Sequence, residues 1–185
     1  MRCMNVVFTG LCIGGLLSGC AAAQQAMPGT LSNANIISVL DTIHVSEIEA
    51  AQLAKKKAAS PDVRSFAASL VKDHTENMQN NLQFAHRVRV NPEKPQLAST
   101  LESTHQNTME ELRKKSGHDF DGTYIDYQVA MHEQAVKLVE DTANSVNDPR
   151  LKQHLMKTRP DLITHLSAAK ALQQQRVTQQ SRSSP

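Results

Sequence analysis

Four polar residues interrupt the apolar stripes of the predicted helices, one on each of four long helical segments. They are Glu47, His74, His132 and His165. His74, for example, follows Leu70 by four residues and so lies on the side that its helix turns toward the core. A buried polar group needs a partner, and an unpaired carboxylate in a core is costly. One carboxylate and three imidazoles are a suitable donor set for a divalent transition metal.

The helix turns give a test of whether these side chains can meet. Glu47 lies 13 residues before Ser60, which marks the first hairpin turn, and His74 lies 14 residues after it. His132 lies 16 residues before a second turn at residue 148, and His165 lies 17 after it. At about 1.5 Å per residue, the members of each pair lie at nearly equal height. The relative height of the two hairpins depends on the crossover between them, which the sequence leaves undetermined.

Long amphipathic segments must position these residues. The apolar residues recur with helical periodicity, and prolines and glycines mark the ends of the periodic stretches. Together they predict helices over about residues 33–59, 60–89, 96–115, 119–145 and 149–172. A capping Ser or Asp followed by proline marks two of the starts, at residues 60 and 148. Pro160 predicts a kink or a local break in the last helix. The pattern is typical of an all-α, ferritin-like up-down four-helix bundle with an additional helix, residues 96–115, in the crossover.

The N-terminal residues have the sequence pattern of an export signal. Residues 1–19 combine a basic start, an apolar stretch and small residues before Cys20, as a secretory signal peptide does. The sequence LSGC resembles the bacterial lipobox, which implies cleavage before Cys20, acylation there and a periplasmic protein anchored to the outer membrane. An ordinary signal cut after Ala22 or Ala23 is the alternative. The membrane is thus the expected partner, through the lipid.

The remaining boundaries follow from composition. Residues 20–32 are predicted to be a lipidated tether and residues 33–172 the helical bundle domain. Residues 173–185 are polar and of low complexity, so a disordered tail is predicted.

Composition excludes several classes of protein. Charges are nearly balanced, with 20 basic and 18 acidic residues, which argues against nucleic-acid binding. All three cysteines fall within the first 20 residues, so the bundle has neither a disulfide nor a thiolate ligand. No Gly-x-Ser-x-Gly motif supports a serine hydrolase.

Two aspartates are candidates for supporting the predicted ligands. Asp161 lies four residues before His165 on the same helical side, where it could bind the metal or accept a hydrogen bond from an imidazole. Asp73 adjoins His74 and is the second candidate. It points about 100° away from its neighbour, however, as adjacent helical residues do, and this favours a solvated surface charge.

The other histidines are less informative. Glu102 and His105 form a Glu-x-x-His motif, as in di-iron carboxylate bundles, but such sites need two of these motifs and two more glutamates. His105 is therefore interpreted as a packing or groove residue. The rest, which show no joint pattern, are His44, His86, His118 and His154.

Several stretches resemble the bacterial domain-of-unknown-function family 4142. They are SEIEAAQLAKKKAASPDVRSFAASLVKDHTENM, GHDFDGTYIDYQVAMHEQAV, DPRLK and RPDLITHL, within about residues 35–172. The family pattern has a glutamate in helix 1, an Asp-His pair in helix 2 and a histidine in each of the last two helices. The corresponding positions here are Glu47, Asp73, His74, His132 and His165. The resemblance implies a ferritin-like, often exported protein and supports one shared site, but it implies no activity.

Two functions remain open at this point. The first is an outer-membrane-anchored periplasmic lipoprotein whose bundle binds zinc, iron, copper or nickel, in metal handling or envelope stress tolerance. The second is a non-catalytic structural or interaction protein of the cell envelope with a metal-free polar core. A metal-dependent oxidase is a weaker third interpretation, because the sequence shows no open coordination position, and no catalytic residue is predicted.

Overall fold

Five α-helices account for the regular structure of residues 31–183, the part of the chain that the computed structural model describes. They are α1 Asn33–Lys57, α2 Pro61–Val88, α3 Gln96–Lys114, α4 Gly117–Ser145 and α5 Pro149–Ser183. The four long helices form the bundle, and α3 lies in the connection between α2 and α4. The predicted all-α, ferritin-like bundle with an additional crossover helix is confirmed. The predictions for the leader, for Cys20 and for most of the tether lie outside the described residues.

Short capped turns fold the long helices into two antiparallel hairpins, α1–α2 and α4–α5. The Ser60 hydroxyl accepts a hydrogen bond from the backbone N–H of Val63, and proline follows at the first helical position. At the start of α5, the Asp148 carboxylate accepts a hydrogen bond from the backbone N–H of Arg150 at 2.9 Å. These side chains satisfy amides that the first turn of a helix leaves without partners.

Asp121, near the start of α4, sets the height of the second hairpin against the first. Its carboxylate oxygens accept hydrogen bonds from the backbone amides of Ala59 at 2.9 Å and Ser60 at 2.8 Å, in the α1–α2 turn. His132 follows Asp121 by 11 residues, about 17 Å along the helix. Glu47 lies at a similar distance from the same turn. The crossover therefore brings the two pairs predicted from the sequence to a common height.

A layer of polar side chains divides the apolar core into two clusters. The largest buried members of the first cluster include Ile37, Leu40, Phe84, Val139 and Leu151. Those of the second cluster include Leu70, Leu112, Phe120, Tyr124 and Ile125. Burial of each large apolar side chain contributes roughly 1.5–3 kcal/mol, so the helices are held together on both sides of the polar layer. None of the helices within residues 31–183 is long and apolar enough to cross a membrane.

The C-terminal helix is longer and more continuous than the sequence predicted. It continues through Pro160, so of the predicted kink or local break the break is absent, and it includes most of the tail that was predicted to be disordered. Arg176 donates a hydrogen bond to Asp126 on α4 at 2.9 Å, and Gln173 donates to the same carboxylate at 2.8 Å. A Cβ atom at Gly122 would collide with the Arg176 guanidinium. These polar contacts order a segment whose composition alone offers no apolar stripe.

Candidate metal centre

Three histidines from three helices meet in the polar layer. They are His74 on α2, His132 on α4 and His165 on α5, and each is at most 4% exposed. Their ring centroids lie 5.2, 5.3 and 5.6 Å apart. One ring nitrogen from each lies within 4.8 Å of the others. The ligands of one tetrahedral metal, at about 2.0–2.1 Å from the ion, are roughly 3.3 Å apart, so a small side-chain adjustment would bring the three onto a single ion.

Each of these imidazoles uses one ring nitrogen within the protein and leaves the other without a partner. His132 donates from Nδ1 to a backbone carbonyl one turn earlier on α4, at 2.9 Å. His165 donates from Nε2 to the Asp73 carboxylate, at 3.1 Å. Nδ1 of His74 lies 3.1 Å from Nδ1 of His44. The opposite nitrogens are buried and make no hydrogen bond within residues 31–183. Metal-ligating histidines have this arrangement, in which one nitrogen is held and the other is free to bind.

Burial favours the uncharged form of His74 and of His165. It lowers the pKa of His74 well below its ordinary value, and the neighbouring His44, His132 and His165 lower it further. The pKa of His165 is also lowered by burial, although its hydrogen bond to Asp73 opposes that shift. Deprotonated imidazole is the form that a metal binds, so burial favours the binding form of these two histidines.

Glu47 lies in the same layer but outside the group of three. It is 1% exposed, and neither of its carboxylate oxygens has a hydrogen-bond partner in the described part of the chain. Burial raises its pKa, while His132 and the Gln128 amide beside it oppose the shift. No hydrogen bond of normal geometry joins Glu47 to Gln128, since both amide atoms of Gln128 also lack partners among the described residues. Its predicted role as a ligand therefore remains a proposal.

His44 belongs to the cluster and was missed by the sequence reasoning. It is 2% exposed, and burial lowers its pKa to about 4. With both rings uncharged, the 3.1 Å contact with His74 requires one Nδ1 to donate and the other to accept. A signal was present, because His44 follows Leu40 by four residues and precedes Glu47 by three, which places it on the same helical face.

The two supporting aspartates have different partners. Asp73 accepts the hydrogen bond from His165, so the interpretation as a solvated surface charge is wrong. A residue that points away from the bundle axis can still face the neighbouring helix, and here α5 lies on that side of α2. Asp161 instead accepts a hydrogen bond from Asn77 at 3.0 Å, while its charge raises the pKa of His165.

His105 fixes the crossover helix rather than joining the cluster. Its ring nitrogens lie 3.0 Å from the Tyr127 hydroxyl and 3.0 Å from a Glu49 carboxylate oxygen. These contacts connect α3 to α4 and α1. Glu102 pairs with Lys94 on the surface, so the Glu-x-x-His motif forms no site with the three histidines.

We expect the metal-free protein to lose stability as the pH falls from about 6.5 toward 4. Burial lowers the pKa of His44 and of His154 to about 4, whereas an unfolded chain protonates its histidines near pH 6.5. Between these two pKa values the unfolded state binds more protons than the folded state. The free energy of unfolding therefore has its full value above pH 6.5 and declines below it. The fully buried His44 gives a slope of up to about 1.4 kcal/mol per pH unit, and the partly buried His154 adds a smaller amount.

Urea denaturation of metal-free protein at pH 7, 6 and 5 measures this slope. Substitution His118→Gln serves as the control, because that side chain is 90% exposed and its loss should leave the slope unchanged. Equal stability at pH 7 and pH 5 would contradict the burial of uncharged histidines.

The fold and the site together define a class of protein, an all-α, ferritin-like bundle with a buried histidine cluster between two apolar clusters. The chain belongs to the domain of unknown function family DUF4142, whose sequence profile matches residues 18–172. The family resemblance stated from the sequence motifs is confirmed. No functionally curated protein matches the sequence significantly.

Two solved structures are similar to this one. The first is described as CopM in the Cu(II)-bound form, with a TM-score of 0.61 and 13% identity over 80% of this chain and 99% of that chain. The second is a putative secreted protein DUF305 from Streptomyces coelicolor, with a TM-score of 0.66 and 11% identity over 78% of this chain and 93% of that chain. At these identities the similarity concerns the fold.

Proposed function

We propose that this protein binds a divalent transition metal through His74, His132 and His165, in metal handling or envelope stress tolerance. The observation that carries the proposal is the set of three buried ring nitrogens, one from each histidine, that have no partner. Leaving several buried polar atoms unpaired is costly, and one bound ion would satisfy all three. Neutral imidazoles suit zinc, iron, copper or nickel. The shared fold of the Cu(II)-bound CopM structure supports a role in metal handling.

Glu47 supplies the counter-charge in this proposal and is the candidate fourth donor. Three neutral imidazoles leave the double positive charge of the ion uncompensated. An ionised Glu47 next to His132 would balance part of it, and the ion would in turn stabilise a carboxylate that is otherwise buried without a partner. Because burial raises the pKa of Glu47 in the metal-free protein, we expect metal binding to release a proton.

The alternative of a metal-free structural core has less support. Such a core would satisfy its polar groups internally, as most buried polar groups are. Within residues 31–183, seven of the nine buried side-chain atoms without a partner belong to the three histidines, Glu47 and Gln128, and the other two belong to Tyr124 and Arg176. This concentration in one layer favours an external ligand over a closed hydrogen-bond network.

We place the protein in the periplasm, anchored to the outer membrane through lipid on Cys20. The lipobox-like LSGC sequence supports this proposal, and acyl chains on Cys20 would provide the anchor. Mass spectrometry of the membrane fraction would detect the acyl groups, and a Cys20→Ser protein that remains equally membrane-bound would contradict the anchor.

Metal titration tests the proposed function. The full chain carrying Cys3→Ser, Cys12→Ser and Cys20→Ser, called the cysteine-free chain below, removes competing thiols. After treatment with chelator it is titrated separately with Zn²⁺, Fe²⁺, Cu²⁺ and Ni²⁺ by calorimetry, and bound metal is counted by elemental analysis. We expect one ion per chain and a raised melting temperature for at least one metal, since a ligand of the folded state stabilises it. A melting temperature that none of the four metals changes would contradict the proposal.

A further inference from the structure

We propose that transition-metal ions reach His74 and His165 through the seam between α2 and α5, past the hydrogen bond between Asn77 and Asp161. This inference rests on the proposed function, because it concerns how the same site is filled. The cluster is almost completely buried, so an ion needs a path on which protein groups replace its hydration water. Four features of the α2–α5 seam supply such a path.

The first feature is a groove along the α2–α5 seam, whose lining reaches residues one helical turn from two of the proposed ligands. Its volume is about 540 Å³, and its lining extends from Val88 and Arg150 at one end to Asn77 and Asp161 at the other. The helices α2 and α5 belong to different hairpins and pack less extensively against each other than the two helices within each hairpin do. Side chains can therefore separate here without breaking up a hairpin.

The second feature is the position of the Asn77–Asp161 pair directly above the histidines. Asn77 follows His74 by three residues, and Asp161 precedes His165 by four, so each lies one helical turn from a proposed ligand and on its side of the helix. The amide of Asn77 donates to Asp161 at 3.0 Å. This hydrogen bond joins the two helices at one end of the groove lining.

The third feature is a second cross-link, deeper in the seam. His165 donates to the Asp73 carboxylate at 3.1 Å, and Asp73 is 33% exposed while His165 is 5% exposed. The Asp73 carboxylate thus contacts solvent on one side and a proposed ligand on the other. Lys72 lies 3.6 Å from it but is 80% exposed, so that ammonium can move away into solvent. Asp73 thus holds the His165 ring through Nε2 and leaves the buried Nδ1 for an ion, so Asp161 is the oxygen donor that an entering ion meets.

The fourth feature is the charge distribution along the groove. The end lined by Asn77 and Asp161 carries the carboxylates of Glu76 and Asp161, with Lys157 one helical turn from Asp161, whereas Arg87 and Arg150 lie toward the other end. A divalent cation is therefore attracted to the acidic end and enters there, rather than travelling the length of the groove. A separate cavity near Met131 is lined mainly by apolar side chains such as Leu97 and Leu138, which offer a hydrated cation no donor.

Rapid mixing of the metal-free, cysteine-free chain with Co²⁺ alone tests the path, because the absorption of bound Co²⁺ reports each binding event. We expect Asp161→Asn to slow association about tenfold at low salt, because electrostatic steering by a charged cleft raises association rates by at least about this factor. Dissociation should slow by a similar factor, so that the equilibrium dissociation constant changes little. Asn77→Ala should speed both association and dissociation, by about two- to tenfold for the loss of one hydrogen bond.

Glu133→Gln is the matched control, since it removes the same charge from an exposed side chain that pairs with Lys170 away from the seam. Its association rate should stay within about twofold of the parent. If the parent chain binds Co²⁺ and the rates of both seam variants match the control, the path is wrong while the proposed function stands. A weakened affinity at an unchanged association rate would also overturn it, because Asp161 would then support the bound state alone. No Co²⁺ binding by the parent would overturn both proposals.

Discussion

Replacement of His132 by alanine is expected to lower the affinity for the bound transition metal by about 100-fold or more. Loss of an outer hydrogen-bond partner of a metal ligand already costs about 10- to 100-fold, and this substitution removes one of only three converging nitrogens. It also leaves two histidines, which are too few to outcompete water and buffer for the ion. Calorimetric titration with the metal that the parent chain binds would measure the change.

Two control measurements test whether the loss of affinity is specific to the histidine cluster. His86→Ala removes an exposed histidine from α2 and should leave the affinity within about twofold of the parent, because surface substitutions away from the site act weakly. Circular dichroism must show that the His132→Ala chain remains helical. A folded His132→Ala chain that binds the metal with parental affinity would show that the ion is held elsewhere.

Replacement of Glu47 by leucine is expected to stabilise the metal-free protein and to weaken metal binding. The carboxyl group is 1% exposed and has no hydrogen-bond partner, and burial of an unpaired polar group costs about 1–3 kcal/mol. Leucine has a similar volume and carries no such cost. The melting temperature should rise by about 2–4 °C for each 1 kcal/mol gained. The opposite effect on metal affinity follows from the loss of the counter-charge.

The substitution Glu47→Gln separates the two effects. It keeps the shape and the polarity of the side chain, so the stability of the metal-free protein should change little, while the affinity for metal falls as it does in the leucine variant. Urea denaturation in the presence of chelator gives the first quantity and calorimetry the second. A Glu47→Leu protein that is less stable than its parent without metal would mean that the carboxyl group has a stabilising partner in the folded state.

Most of the helical architecture was predictable, because local signals determine it. Ser60 with the following proline, and Asp148 with the next proline, mark the hairpin turns in the sequence and cap the helices in the structure. The C-terminal segment was not predictable in the same way. Its order depends on contacts of Gln173 and Arg176 with Asp126, a residue about 50 positions earlier in the chain. Composition carries no information about such a distant partner.

The candidate site was partly predictable for the same physical reasons. Helical periodicity places His74, His132 and His165 toward the core, and their convergence follows once the hairpins share a height. The sequence reasoning missed His44, and for Asp73 it named a candidate without identifying the histidine that this residue contacts. Their side chains meet partners on other helices, and the rotation of each helix about its own axis decides which neighbour a given position faces.

By itself, the sequence determined the helices, the hairpin turns, the family and the polar positions within the apolar stripes. These depend on residues close to one another along the chain, through caps, prolines and a period of 3.6 residues. Only the tertiary structure decided that the two hairpins share a height, through the bonds from Asp121 to the first turn. It also decided that three imidazoles, rather than three imidazoles and a carboxylate, lie within 4.8 Å. Distances between helices arise from packing and from long-range hydrogen bonds, which no local pattern in the chain specifies.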